Sequence, residues 1–574
     1  MLGFLLAGAL IFTLFIFIVI GIAASISNDF TLKDNSVFQL KLEGEVIDRS
    51  KNDIYQEFFS ATGSNRIGLD DILSSIEKAK NNDKIKGILL ESDFSLIGIS
   101  SAREIRNALI DFKKSGKFII ASGDVYTQTA YYIASVADRI ILNPSGILEF
   151  KGLSVSPTFY KGALDKLGIE MQLVKVGSYK SAPERYTNTK MSDDNREQVS
   201  AFLHSIWNTM TDEISVSRNL PNGNLHIYAN EMMSFQLAEK AVAYGLADTL
   251  LYRDGIKGVL AAEMNVDEED IEFVSLAEMK TVANAKQETA AEKIAVVYAV
   301  GAIDTGYGDE DNINSKKLTE TLRKLMKDDE VKAVVLRVNS PGGSAYGSEQ
   351  IWRAVSLLKE KKPVIVSMGD YAASGGYYIS CVADKIVAQP TTLTGSIGIF
   401  GLIPNIQGLT DKLGITFDAV KTNELSDMPA LNRPFTERER NIMQMYVNEG
   451  YELFVRRVAD GRGKTPDEIK TIAEGRVWTG TNAVTIGLVD TLGTLADAVK
   501  IAAETAGIEK YCVTEYPEKK DFITEFFESF NSGIQTRLLK MQWSEENYRH
   551  YSAIKNATEM AKVQAIMPYD VVIK

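Results

Sequence analysis

Ser374 has the surroundings of a nucleophile. It lies in the stretch Gly369-Asp370-Tyr371-Ala372-Ala373-Ser374-Gly375-Gly376-Tyr377. The apolar run Pro363–Met368 before it reads as a buried strand, and the apolar spacing of Tyr377–Ile386 after it predicts a helix. At such a strand-to-helix turn a serine is presented to a substrate, small neighbours let a peptide backbone approach, and the first amides of the helix can bind developing negative charge. The same composition also suits a turn that only packs a helix on a sheet, so this stretch alone does not decide. Upstream, Asn339-Ser340-Pro341-Gly342-Gly343 follows a strand predicted at Ala333–Val338 and supplies a glycine pair whose amides can point outward. Gly375 and the pair Gly342-Gly343 are therefore the candidate oxyanion hole.

A nucleophilic serine needs a base. The three histidines, His204, His226 and His550, lie in no triad or metal-ligand motif, and two cysteines, Cys381 and Cys512, cannot frame a metal site. No metal or cofactor is expected. Lys180, in Val174-Lys175-Val176-Gly177-Ser178-Tyr179-Lys180-Ser181-Ala182, ends a short apolar strand among small residues. A lysine base must be neutral, so its pKa has to fall from ~10.4 toward the working pH, at about 1.4 kcal/mol per unit. Burial between two packed units would do this. On spacing alone, Lys180 is one of many lysines that could sit on a surface.

An internal repeat separates these residues into two copies. Ile85-Lys86-Gly87-Ile88-Leu89-Leu90 aligns with Val331-Lys332-Ala333-Val334-Val335-Leu336, an offset of 246. The same offset carries Gly123-Asp124 onto Gly369-Asp370, Tyr131-Tyr132-Ile133 onto Tyr377-Tyr378-Ile379, and Asp165-Lys166-Leu167-Gly168-Ile169 onto Asp411-Lys412-Leu413-Gly414-Ile415. Chance does not hold register over such a span. Ser374 falls opposite Gln128, the glycine pair opposite Leu96-Ile97, Lys175 opposite Lys421 and Lys180 opposite Ser426. The second copy thus holds the serine and the glycines, and the first holds the lysine. Absence of serine and glycine pair together from one copy is expected if they serve one reaction, whereas packing alone would not link them.

Each copy opens with a strand (Val37–Leu42; Ile294–Val300) and closes on Gly-Leu-x-Asp (Gly245–Asp248; Gly487–Asp490), with apolar runs alternating with helical patterns between. That alternation predicts α/β units with parallel sheets. Residues 2–25 carry no charged side chain and are long enough to span a ~30 Å hydrocarbon core. An uncleaved N-terminal transmembrane helix is expected rather than a signal peptide, because the run is long for such a peptide and lacks a basic start. The division is then 2–25 anchor, 36–275 first repeat, 276–292 linker, 293–515 second repeat and 516–574 a charged, aromatic-containing tail without an assigned role. The 574 residues are 45% hydrophobic and 24% charged, ordinary for globular domains, and a net charge of −13 leaves no basic surface for nucleic acid.

The stretches around Gly342, Ser374 and Lys180, together with Thr394-Gly395-Ser396-Ile397-Gly398 and Gly475-Arg476-Val477-Trp478-Thr479-Gly480, resemble the long, two-repeat form of signal peptide peptidase A. That is a family of membrane-anchored bacterial serine proteases whose fold is related to the crotonase and Clp protease group. The resemblance runs from the anchor to about residue 515 and is loose at the termini. It implies two tandem crotonase/Clp-protease-like α/β repeats and a Ser/Lys dyad, with Ser374 as nucleophile, Lys180 as general base and Ser396 orienting the lysine amine. It further implies hydrophobic peptide substrates at the membrane, such as released signal peptides, and a homotetramer. The expected location is the bacterial inner membrane, entered through the N-terminal helix, with the catalytic part on the periplasmic side. Two other classes share parts of the pattern: a crotonase-like acyl-CoA enzyme and a non-catalytic membrane scaffold.

Overall fold

The computed structural model describes residues 30–50, 66–283, 291–306, 312–518 and 563–567. The anchor expected at 2–25 lies outside them. Among the described residues no helix is long and apolar enough to cross a membrane.

The first repeat is organised on parallel strands β1 (Ser36–Ile47), β2 (Ile85–Leu96), β3 (Phe118–Tyr126) and β4 (Arg139–Leu148), which lie side by side in that order. Helix α1 (Gln128–Ala134) connects β3 to β4, and strand β5 (Glu170–Lys175) leaves this sheet altogether. The long helix α2 (Asp193–Arg218) starts where the Ser192 side chain accepts from the Asn195 amide, satisfying one of the donors a helix start leaves open.

The second repeat repeats the plan with β6 (Lys293–Val300), β7 (Val331–Ser340), the short β8 (Gly342–Ser344), β9 (Val364–Ala373) and β10 (Lys385–Ala388). Strands that start at Ile85, Phe118 and Arg139 recur at Val331, Val364 and Lys385, each 246 residues later. Their near-continuous Val, Ile and Leu runs are what parallel strands covered on both faces require. Val334, Val335 and Leu336 are fully buried. Helix α3 (Gly375–Ser380) follows β9 and stops before Cys381, and Lys385–Ala388 is strand. The helix expected over Tyr377–Ile386 is thus shorter, because Ile386 and Val387 are needed in the ladder beside Val366 and Ser367.

Three further strands of the second repeat bear on the site: β11 (Leu393–Gly395), β12 (Phe400–Asn405) and β13 (Val477–Thr479). Between β12 and β13 runs helix α4 (Glu437–Arg462), started by a reciprocal Thr436/Glu439 cap. Strand β14 (Cys512–Tyr516) pairs parallel with β6 at the sheet edge. The copies diverge after Ile415: where the first repeat has β5, the second has an exposed segment without strand. Within the stretch expected as linker, Leu276–Thr281 is a capped helix that buries Met279.

A third, six-stranded sheet joins the two halves. It contains β8, β12 and β5, with β5 antiparallel to β12, and it admits one strand of the tail, β15 (Val563–Ile566). The cores interpenetrate as well: Ala373, Leu393 and Val477 of the second repeat pack in the apolar cluster of the first.

A buried ionic cluster fastens the junction. Arg337, in the middle of β7, donates to Asp48 (2.9 Å) and Glu104 (2.7 Å) of the first repeat, all three side chains being about 1% exposed. Asp370 on β9 reaches the other way, accepting from the amides of Ser100 (2.8 Å) and Ser101 (3.2 Å) and from the Ser101 hydroxyl (2.6 Å). Asn339 donates to Asp48 and accepts from the Tyr371 amide, so the loops carrying Gly342 and Ser374 are tied to one another and to the first repeat. Removing one partner of such a cluster strands buried charge. Arg337→Met is expected to lower stability by about 3–5 kcal/mol, and the triple replacement of Arg337, Asp48 and Glu104 by apolar residues of similar volume to recover most of it. Denaturant unfolding checks both; an Arg337→Met midpoint equal to wild type would remove the cluster from the account of how the repeats dock.

Candidate active site

The strand β9 ends at Ala373 and helix α3 begins at Gly375, so Ser374 takes the whole change of direction. Its backbone stands at φ 55°, ψ −113°, a region that costs a non-glycine residue about 1–3 kcal/mol and is held only where the surroundings enforce it. Here the Ser374 amide donates to the Gly395 carbonyl (2.8 Å) and its carbonyl accepts from the Tyr378 amide (2.8 Å). The amides of Gly375 and Gly376, in the first turn of α3, have no partner within the helix itself.

The structure brings Lys180 to this serine. Its Nζ lies 2.7 Å from Ser374 Oγ, 3.0 Å from the Ser396 carbonyl and 3.1 Å from Ser396 Oγ. A neutral amine donates two hydrogens and accepts one. The two oxygens of Ser396 can take both donations, which leaves the nitrogen lone pair for the Ser374 hydroxyl. Both Lys180 and Ser374 are fully buried. That burial pushes the lysine's pKa well below its ordinary value, since an ammonium there loses its water.

The surrounding motifs make the burial possible. The Lys180 stem runs over two glycines: a Cβ added to Gly475 would stand 2.6 Å from Lys180 Cβ, and one at Gly398 would stand 3.2 Å from its Cδ. The Ser396 amide donates to the Arg476 carbonyl and the Gly475 amide to the Ile397 carbonyl, locking the two stretches together. Ser396 itself has φ 50°, a turn that aims both of its oxygens at one amine.

The glycine loop packs directly on the serine turn. Gly342 has φ +99°, and a Cβ there would meet the Gly375 nitrogen at 2.7 Å. The amide of Gly342, expected among the oxyanion donors, donates instead to Ser340 Oγ (3.1 Å). Gly342 thus shapes the loop that packs on the serine turn.

The corresponding positions of the first repeat are closed. Gln128, opposite Ser374, accepts from the amides of Lys151 and Gly152 (2.9 Å each) and donates to the Gly152 carbonyl, sealing its own loop. In the second repeat, Lys421, opposite Lys175, is exposed and pairs with Asp427 at 2.6 Å. His204 and His226 are exposed, the latter accepting from the Trp207 indole. Sequence reasoning missed Arg337, Asp48, Glu104 and Asp370. The available signal was an arginine inside the apolar run of β7, since a buried guanidinium demands carboxylates.

A serine at a strained strand-to-helix turn, with a buried lysine amine 2.7 Å from its hydroxyl, is the arrangement of a serine hydrolase. The chain belongs to Peptidase family S49, whose model matches residues 111–267 and 356–509, once in each repeat, and it is a serine protease. Protease 4 of Salmonella typhi is 33% identical over 515 residues, 87% of this chain and 83% of that protein. Protease 4 of Haemophilus influenzae is 33% identical over 549 residues, covering 92% and 88%. The chloroplastic serine protease SPPA of Arabidopsis thaliana is 30% identical over 516 residues, covering 88% and 74%. A solved ClpP1 chain from Listeria monocytogenes aligns at 16% identity with a TM-score of 0.25, over 36% of this chain and 94% of that one, a likeness too distant to carry any argument.

Proposed function

We propose that the neutral Lys180 amine removes the Ser374 proton as Oγ attacks a peptide carbonyl, and that the resulting ammonium gives the proton to the leaving amine. The amides of Gly375 and Gly343 hold the tetrahedral oxyanion, and Ser396 fixes the amine's orientation. Water, deprotonated by the same lysine, then hydrolyses the acyl-enzyme. The observation that carries this reading is the 2.7 Å contact between a fully desolvated lysine amine and a serine hydroxyl. Each removed oxyanion donor typically costs about 3–4 kcal/mol of transition-state stabilisation.

The substrates in this reading are hydrophobic peptides at the membrane, such as released signal peptides. The resemblance to signal peptide peptidase A supports this, as does the uncharged run 2–25, whose length suits a span of the hydrocarbon core. By the same resemblance the protein is a homotetramer of the bacterial inner membrane with its catalytic part in the periplasm. Purified full-length protein in detergent is expected to hydrolyse a peptide with the apolar core of a secretory leader at least ~10-fold faster in kcat/KM than a charged peptide of equal length. Equal rates on the two would refute the substrate class, and no hydrolysis of either would refute the mechanism.

A further inference from the structure

Lys180 and the two oxygens of Ser396 that its amine faces come from different repeats, and the stretch 474–477, leading into β13, touches both. On one side the Glu474 carbonyl accepts from the Tyr179 amide (3.0 Å) and the Glu474 carboxylate from the Ser178 amide (3.1 Å). On the other side the Arg476 carbonyl accepts from the Ser396 amide (2.7 Å). The Arg476 side chain then reaches back into the first repeat. It donates to Glu197 of α2 (2.8 Å) and to the Tyr179 hydroxyl (3.2 Å), which itself donates to Glu197 (2.6 Å). Its guanidinium carbon stands 4.8 Å from the centre of the Tyr179 ring and 4.6 Å from that of Trp478, close enough for both rings to favour the cation. Gln198, also of α2, makes a second crossing, donating to the Tyr179 carbonyl (2.9 Å) and accepting from the Val477 amide (3.1 Å).

We propose that Arg476 is a positioning residue for Lys180: its main chain places Ser396, its side chain places the loop that carries the lysine, and amine and acceptors are thereby held as one body. This rests on the Ser374/Lys180 reading above and adds a residue to it. Arginine suits the place because a planar fork can bond a carboxylate and a hydroxyl beside two rings, which the point charge of a lysine cannot do. The Glu197 side chain is 53% exposed, so the ion pair adds little to stability. Its loss should appear in the chemistry instead. With the loop free to shift, water reaches the amine, the ammonium is hydrated, and the pKa that burial holds down returns toward its ordinary value. Among the described residues the amine bonds only Ser374 and Ser396, while the charged groups around its loop are Glu184, Glu197, Glu474 and Arg476, with the phenol of Tyr179.

The pH dependence of kcat/KM for a peptide with the apolar core of a secretory leader, measured on the purified full-length protein, tests this in wild type, Arg476→Lys and Glu197→Ala. Charge alone moves the lysine the other way or not at all: Arg476→Lys keeps the cation, and Glu197→Ala removes an anion, which lowers a nearby lysine's pKa. Positioning instead moves the acid limb to higher pH in both, by about one pH unit in Arg476→Lys and ~0.5 in Glu197→Ala. In Arg476→Lys, kcat at neutral pH is expected to fall at least ~10-fold with KM within about twofold of wild type, and both variants should melt within a few degrees of wild type. Should Arg476→Lys not fold, the sign of the displacement in Glu197→Ala decides alone. An acid limb that stays in place or moves to lower pH in either folded variant would overturn the positioning role and leave the lysine base standing. Wild type without an acid limb would overturn both.

Discussion

Ser374→Ala is expected to lower kcat for peptide hydrolysis by about 10⁴-fold or more while leaving the melting temperature within a few degrees of wild type. The magnitude follows from the role proposed: with no oxygen to attack, only oxyanion binding and substrate positioning remain, and these alone sustain a small residue of the rate. The fold should tolerate the change because Ser374 is held by its backbone, through its amide on Gly395 and its carbonyl on Tyr378. Alanine bears the same positive φ with the same strain, so no backbone rearrangement is required. Steady-state kinetics and thermal unfolding of the two proteins check this, and turnover within tenfold of wild type would contradict it.

Lys180→Met is expected to be inactivated to a similar degree, about 10⁴-fold, and at the same time to be more stable at neutral and acidic pH. Methionine fills the stem's channel over Gly398 and Gly475 without an amine to desolvate. The pH dependence has a definite sign. Burial lowers the folded-state pKa of Lys180, whereas the unfolded chain keeps its proton up to a lysine's ordinary value of ~10.4. Between those two values the unfolded state binds more protons, so the lysine's contribution to stability rises with pH across that window. Below the lowered value both states are charged and the cost of burying the ammonium is greatest. The advantage of Lys180→Met should therefore be largest in acid and vanish above pH ~10. Wild-type kcat/KM should fall about tenfold per pH unit below the lowered pKa, as the base becomes protonated. A flat profile, or a Lys180→Met variant that retains turnover, would contradict the role of the lysine.

Much of this arrangement was legible in the residues. The offset of 246 held because strand starts in parallel sheets are fixed by buried apolar runs, and those are conserved in type between Ile85 and Val331 or Phe118 and Val364. Ser374 and Lys180 stood out because each has a different residue at its partner position, Gln128 and Ser426. What a one-dimensional comparison could not reveal is where unlike segments meet. Asp370 matches Asp124 in the repeat, yet Asp370 is buried on Ser100 and Ser101 whereas Asp124 accepts from Asn143 at an exposed position of the sheet. The glycine pair stands out in the sequence as a backbone feature, but that Ser340 Oγ accepts from the Gly342 amide is visible only in three dimensions. The tail was opaque for a related reason: Val563–Ile566 is a short apolar strand whose only distinguishing property is the edge it pairs with.

Covalent trapping reads out whether Lys180 of one repeat activates Ser374 of the other. The full-length protein is treated with a serine-reactive β-lactone and the modified site is mapped by mass spectrometry, in wild type and in Lys180→Met, across a range of pH. Acylation of Ser374 is expected in wild type, at a rate that rises with pH as the lysine loses its proton, and at least ~100-fold slower acylation in Lys180→Met. Label on another residue, or Ser374 acylated in Lys180→Met at the wild-type rate, would contradict it.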